Sequence, residues 1–241
     1  MLLRTASTLL AFTLTTSSTL AFQAGEKAAM AGRITELKDS IAANKARLAK
    51  YQWTETTTVL FRGQARKTET STCHYGPDGK VVKLPNGPAA PALGGGQMQQ
   101  QRGGLRGRII EKKTEEMKDY GERLKSLIGE YVPPNRDKVQ DAFQAGNASI
   151  APAAGTTSMT LANYYKSGDK MIFAFDPTAK KIRSLNVDTY LDNPQTDIVT
   201  LAVNFASLPD GTNYAASTNL KAESKEIEIR TANSNYQKIT P

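Results

Sequence analysis

Apolar side chains recur at every second position in three runs between residues 170 and 214. The members of these runs are Met171, Phe173 and Phe175, then Leu185, Val187 and Leu191 with Thr189 in step, then Val199, Leu201, Val203 and Phe205. A period of two places each set on one side of a pleated strand. Proline, aspartate, asparagine and glycine supply turn chemistry between and after the runs. The stretch therefore predicts an antiparallel meander with one apolar face.

Two longer segments repeat apolar residues at steps of three and four, which predicts amphipathic helices. The first covers residues 25–50, and the second covers residues 105–131 and ends before two consecutive prolines. The predicted apolar face of the second helix is Ile110, Met117, Tyr120, Leu124, Leu127 or Ile128, and Tyr131. Asn135 is the predicted cap of a short helix that follows.

Alternating and threonine-rich patterns predict the remaining strands. These cover residues 51–61, 64–75, 80–84, 156–165, 214–220 and 225–231, with a last pairing segment around Tyr236 and Ile239. Residues 85–104 consist mainly of proline, alanine, glycine and glutamine, which cannot build a core, so they predict a disordered loop. The predicted fold class is α+β: a curved antiparallel β-sheet, or half-barrel, covered by the amphipathic helices.

The chain begins with the pattern of a secretory signal peptide, residues 1–21. Arg4 gives a positive end, a short apolar run follows, and small residues precede the expected cleavage site. Residues 22–241 are then predicted to form a single domain. One cysteine, Cys73, excludes an intramolecular disulfide, which suits a bacterial periplasm better than the eukaryotic secretory route. We therefore expect a periplasmic or secreted bacterial protein.

No combination of side chains predicts catalysis, a metal site or a cofactor, so the sequence favours a non-enzymatic protein. Cys73 and His74 are adjacent on a predicted strand and point to opposite faces, which argues against a nucleophile–base pair. The acids of the second helix are explained by solvated ion pairs, and those at 188, 192 and 197 by turn chemistry rather than calcium binding. A hydrolase remains an alternative that lacks a recognisable catalytic pair.

The formal net charge of +8 favours acidic partners. The most basic run of the chain contains Arg102, Arg106, Arg108, Lys112 and Lys113. It lacks interleaved aromatic residues, so nucleic acid is not expected. An anionic membrane or cell-wall surface is the functional interpretation of this run, and a solvated linker is the simpler one.

The order of helix, strands, central helices and long meander resembles the bacterial lipoprotein-localisation carrier fold and related periplasmic lipid-binding proteins. Residues 175–187, FDPTAKKIRSLNV, resemble the repeated strand–turn–strand units of that family. The chain also resembles uncharacterised exported bacterial proteins that carry the blocks LNVxTYL and FASLPDGTNY. The carrier resemblance implies an open half-barrel whose concave apolar side is covered by helices.

Two functions follow as expectations, with oligomeric state and partner proteins left open. The first is binding of a lipid, an acyl chain or another apolar ligand by the curved sheet. The candidate lining residues are Trp53, Phe61, Phe173, Phe175, Val203 and Phe205. A filled core is the equally weighted alternative for these residues. The second function is an envelope structural or interaction module that binds anionic surfaces through the basic run.

Overall fold

The computed structural model describes residues 42–87, 105–132, 134–153 and 155–239, together with residues 32, 35 and 39. Three helical segments are residues 42–48 (α1), Leu105–Gly129 (α2) and Arg136–Gln144 (α3). The strands are Tyr51–Phe61 (β1), Gln64–Tyr75 (β2), Val81–Pro85 (β3), Ala148–Ala153 (β4), Thr156–Ala162 (β5), Lys170–Asp176 (β6), Lys181–Tyr190 (β7), Ile198–Ser207 (β8), Asn213–Ala222 (β9) and Ile227–Lys238 (β10). The predicted signal peptide and residues 88–104 of the predicted loop lie outside the described residues.

All ten strands belong to one open antiparallel sheet with the order β3-β2-β1-β10-β9-β8-β7-β6-β5-β4. Strands that follow one another in the chain are neighbours, except β3 and β4. The last strand, β10, lies between β1 and β9, so the first and last strands pair along their length. The edges of the sheet are therefore β3 and β4, and the segment that contains α2 and α3 connects one edge to the other.

The predicted central meander is confirmed, and its apolar alternation explains the core. Phe173 of β6 faces Leu185 of β7, which in turn faces Val203 of β8. These side chains are almost fully buried, as are Met171, Val187, Val199 and Leu201. Tyr120, Leu124, Leu127 and Tyr131, from α2 and the residues just after it, belong to the same buried cluster. One apolar face of the sheet thus packs with the C-terminal half of α2.

The caps and turns follow the local chemistry of the sequence. The Asn135 side chain accepts hydrogen bonds from the Asp137 and Lys138 backbone N–H groups at 2.8 and 3.3 Å, which caps α3 as predicted. Gly63 has a φ of +71° in the turn between β1 and β2, a conformation that costs glycine little.

Within the described residues, no helix has the length and hydropathy needed to cross a membrane.

Several sequence predictions differ from the structure. Met117 was expected on the buried face of α2, but its side chain is 42% exposed, and the buried side chains among the described residues of α2 begin at Tyr120. The strand β4 was not expected, since its sequence ASIAPA has little β-propensity and contains a proline. Proline is tolerated there because β4 is an edge strand. The predicted strand at 156–165 ends at Ala162, whereas β9 and β10 are longer than predicted.

Candidate functional site: a partly covered apolar face

The apolar face continues from the core onto β9, β10 and β1, where its side chains are only half-buried. Backbone registers pair Phe61 with Ile227 and Val59 with Ile229. Ile229 in turn pairs with Leu220 of β9. Partners in antiparallel strands share a face. We refer to Val59, Phe61, Leu220, Ile227 and Ile229 as the apolar strip. Each of its five members keeps part of its surface accessible.

The strip differs in burial from the neighbouring core. Phe173 is 2% exposed and Val203 is 4% exposed, with helix side chains in the same cluster. Ile227 and Leu220 pack against that cluster from its margin. The core region is therefore filled by protein, whereas the strip extends the same apolar surface beyond it.

The six side chains predicted to line a ligand site fall into different places. Phe173 and Val203 lie inside the filled core, and Phe175 and Phe205 pack at its margin. Phe61 belongs to the apolar strip, with the Arg62 guanidinium 5.2 Å from its ring centroid. Trp53 lies in a separate aromatic cluster. Within the described part of the chain, the six do not share one cluster, because they lie at different positions on β1, β6 and β8.

An open cleft of about 310 Å³ lies at the Phe61 end of the strip. Its walls come from the turn between β1 and β2 and from the β9–β10 connection, which contains a 3₁₀ helix at Glu223–Lys225. Arg62 and Glu226 face each other there at 3.2 Å. Ala222 and Ile227 contribute apolar surface to the same cleft. The strip therefore opens at this end toward a polar, solvent-accessible mouth.

The other end of the same face carries a cluster of aromatic rings. We define the aromatic cluster as Tyr51, Trp53, Tyr75, Tyr214 and Tyr236. The Trp53 and Tyr236 rings are stacked, with centroids 5.5 Å apart, and the Tyr75 ring lies 5.5 Å from Trp53 at a tilt. The Tyr214 and Tyr236 centroids are 4.3 Å apart. Burial raises the pKa of Tyr236 well above its usual value.

A paired acid and base lie beside the aromatic cluster. The Lys83 ammonium is 2.5 Å from the Glu55 carboxylate, whose side chain is 13% exposed. Cys73, across from Trp53 in the β1–β2 pair, is fully buried. Its pKa is raised first by burial and then by the negative charge of Glu55. Burial and the raised pKa both disfavour the reactive thiolate form of Cys73.

The residues considered for catalysis and metal binding are dispersed. Cys73 faces Trp53, and His74 faces Gln52, so the two side chains alternate across β2. Among the described residues, no group of three or more histidine, cysteine or acidic side chains is arranged to hold a metal ion. Asp192 contacts Arg123, whereas Asp197 is buried and accepts a hydrogen bond from the Tyr120 hydroxyl at 3.0 Å.

Only part of the basic run can be located. Lys112 lies on α2, exposed, 4.0 Å from Glu116. Arg106, Arg108 and Lys113 are in the helical backbone of α2, and their side chains lie outside the described residues, as does the whole of Arg102. The next described side chains of α2, residues 115–119, are all exposed.

Sequence reasoning missed Tyr75 and Asn233 as neighbours of Trp53. Both lie in strands that are mostly polar, and neither belongs to an apolar repeat. Their proximity follows from the pairing of β1 with both β2 and β10. Alternation within β1 was the available signal for one face, but pairing of the first strand with the last is not encoded in any local pattern.

Comparison with known proteins gives no match to a protein-family model and no match among curated proteins. A solved structure described as a DUF1329 family protein from Desulfovibrio piger is similar over 85% of this chain and 92% of that chain. The sequence identity is 8% and the TM-score is 0.42. The likeness is too distant to support an argument about the site, and the carrier-like resemblance remains a prediction from the sequence.

Proposed function

We propose that this is an exported, non-enzymatic bacterial protein that binds an amphiphile along the apolar strip. The observation that supports the proposal is the change in burial along one continuous apolar face. The face is filled by helix side chains at β6–β8 and only half-covered at β1, β9 and β10. Apolar surface that stays accessible beside a filled core gains free energy when a ligand covers it.

We also propose that the sheet is curved and covered by helix, as the half-barrel prediction requires. The support is that side chains from the later turns of α2 belong to the same buried cluster as those of β6, β7 and β8 on one face of the open sheet.

The dimensions of the face also suit an amphiphile. From Phe61 to Trp53 the strand β1 extends about 26 Å along one face. An acyl chain occupies about half of the ~30 Å hydrocarbon core of a bilayer, or about 15 Å. The strip and the aromatic cluster are therefore separated by about the length of one chain, with Thr57 and Glu55 of the same face between them.

The proposal is tested by displacement of an apolar fluorescent dye and by lipid extraction of the purified protein. Val59→Asn places an amide on the strip and is expected to weaken dye binding by about fivefold or more. Thr58→Asn is the matched control, because the neighbouring side chain points to the opposite face. A protein that binds no dye and retains no amphiphile would contradict the proposal.

The second candidate function is attachment to an anionic envelope surface through α2. The observation that favours it is the exposure of residues 115–119 on a helix whose N-terminal part carries Arg106, Arg108, Lys112 and Lys113. Among the described side chains of α2, those that are buried begin at Tyr120. The exposed residues 115–119 are then free to meet a surface.

Vesicle co-sedimentation tests this candidate. Binding to vesicles that contain anionic lipid is expected to fall between low and physiological salt. Arg106→Glu with Arg108→Glu should weaken binding strongly, whereas Lys118→Glu with Lys125→Glu, an equal charge change later on the same helix, should weaken it less. Binding that is indifferent to salt and to the first pair would exclude this role.

A further inference from the structure

Two buried polar atoms beside the aromatic cluster lack hydrogen-bond partners among the described residues. They are the indole Nε1 of Trp53 and the amide Oδ1 of Asn233. Trp53 is 6% exposed, so water has little access to its indole. Buried polar groups are normally paired, and an unpaired donor near an unpaired acceptor therefore needs an explanation.

The two atoms belong to side chains on the same face of neighbouring strands. Asn233 of β10 lies opposite Glu55 of β1, and Trp53 lies two residues before Glu55. Trp53 and Asn233 are therefore near neighbours on this face, where the β1–β10 pairing shifts register between Gln52 and Thr54. The Nδ2 of Asn233 donates to the Ala215 carbonyl at 2.8 Å, which leaves the amide oxygen as the unpaired end.

Building on the amphiphile binding proposed above, we infer that Trp53 and Asn233 anchor a neutral head group that both accepts and donates a hydrogen bond. The Trp53 N–H would donate to the head group, and the head group would donate to Asn233 Oδ1. A primary amide and a hydroxyl have both capacities. The ligand class is then a long-chain amide or alcohol.

Charge at this end of the face argues against a fatty-acid anion. A carboxylate offers only acceptors and would leave Asn233 Oδ1 unpaired. It would also lie near the Glu55 carboxylate, and Lys83 is already within 2.5 Å of that group. The negative charge of Glu55 acts on neighbouring groups, since it contributes to the raised pKa of Cys73.

The ligand side of the inference can be tested without altering the protein. The purified chain is titrated at about pH 8 with oleamide, N,N-dimethyloleamide and oleate. Trp53 is the single tryptophan, so its emission reports binding next to the indole. Oleamide is expected to bind about tenfold more tightly than its dimethyl form, which cannot donate to Asn233. Oleate is expected to bind more weakly than oleamide.

Variants test the protein side by dye displacement, with circular dichroism as the check on folding. Trp53→Phe keeps a ring and removes the donor, and should weaken oleamide binding about tenfold. Asn233→Ala removes the acceptor and should erase the preference for oleamide over its dimethyl form. Tyr75→Phe, which keeps a ring in the same cluster, is the control and should change neither preference.

The outcomes separate this inference from the proposed function. Equal affinity for oleamide, its dimethyl form and oleate would overturn the anchor and leave amphiphile binding in place. Tighter binding of oleate would also overturn it, and would point to the cleft near Arg62 as the head-group site. If none of the three ligands displaces the dye, or if no dye binds, both proposals fail.

Discussion

At the scale of single residues, Asp169 is the buried acid that organises the loop between β5 and β6. Its carboxylate accepts hydrogen bonds from the backbone N–H groups of Tyr164, Tyr165 and Lys166, at 2.6, 2.9 and 2.7 Å. The Tyr131 hydroxyl donates to the same carboxylate at 2.6 Å. Burial, followed by this bond, raises the pKa of Tyr131 well above its usual value. The loop and the end of α2 are thereby tied together.

Asp169→Asn is expected to lower the free energy of unfolding by about 2–4 kcal/mol, because an amide replaces one accepting oxygen with a donor that faces other donors. Urea denaturation followed by Trp53 fluorescence measures the change. Asp188→Asn, at an exposed position on β7, should stay within about 0.5 kcal/mol of the parent protein. Similar effects for the two variants would contradict the structural role of Asp169.

The pair of Tyr51 and Asp210 predicts a pH dependence of stability. The hydrogen bond from the Tyr51 hydroxyl, and then the Thr212 backbone N–H, hold the pKa of Asp210 well below its usual value of 3.8. A lowered folded-state pKa stabilises the fold above the unfolded value, and that stabilisation is lost as pH falls below 3.8 toward the folded-state pKa.

Asp210→Asn should therefore be less stable than the parent protein at pH 6, with a smaller difference at pH 3. Denaturant unfolding at the two pH values measures this difference. Asp119→Asn, exposed on α2, serves as a control that should show little effect at either pH. A difference that grows toward pH 3 would contradict the assigned sign.

At the scale of elements, α2 consists of two unlike halves. Its later turns place Tyr120, Leu124 and Leu127 in the core, whereas described residues 115–119 are exposed. The sequence repeats apolar residues through both halves, so the pattern predicts one continuous buried face. Among the described side chains of α2, tertiary packing buries only residues from Tyr120 onward.

Two alanine substitutions in α2 distinguish its halves. Leu124→Ala should lower the free energy of unfolding by about 2–5 kcal/mol, since it leaves a cavity at a side chain that is 3% exposed. Met117→Ala should change it by about 0.5 kcal/mol or less, because little is buried there. Thermal or urea unfolding of both variants measures the contrast. A large loss for Met117→Ala would mean that the early turns of α2 pack against the protein.

Most elements could be predicted because their signals are local. Alternation fixed β6 to β8, and Asn135 marked the start of α3. The strand β4 had no such signal, since Ala148–Ala153 becomes a strand only by pairing with β5. Of the candidate site, alternation on β1 indicated Trp53 and Phe61, but the neighbours that surround them come from distant parts of the chain.

At the scale of the whole molecule, the pairing of β1 with β10 joins the two halves of the sheet. Thr57 and Thr231 lie 174 positions apart in the chain, yet their hydroxyls are 3.2 Å apart. Thr231 also faces Thr218 of β9, so it occupies a central strand with partners on both sides. Contacts of such long range are formed at a high cost in chain entropy.

Thr231→Pro is expected to lower the free energy of unfolding by about 3 kcal/mol or more, because proline removes a backbone donor in a central strand. Thr231→Ala should cost about 1 kcal/mol or less. Denaturation followed by Trp53 fluorescence, together with labelling of Cys73 on β2, measures the effect. A proline variant as stable as the alanine variant would contradict the pairing of β10 with both neighbours.

The sequence by itself determined the antiparallel meander, its apolar face and most helix and strand positions, because periodicity, caps and turns act over a few residues. Only the tertiary structure decided which apolar side chains became core and which stayed half-covered. That outcome depends on where α2 packs and on the pairing of β1 with β10. Both are long-range contacts that no local pattern specifies, and together they place the apolar strip and the aromatic cluster at opposite ends of one face.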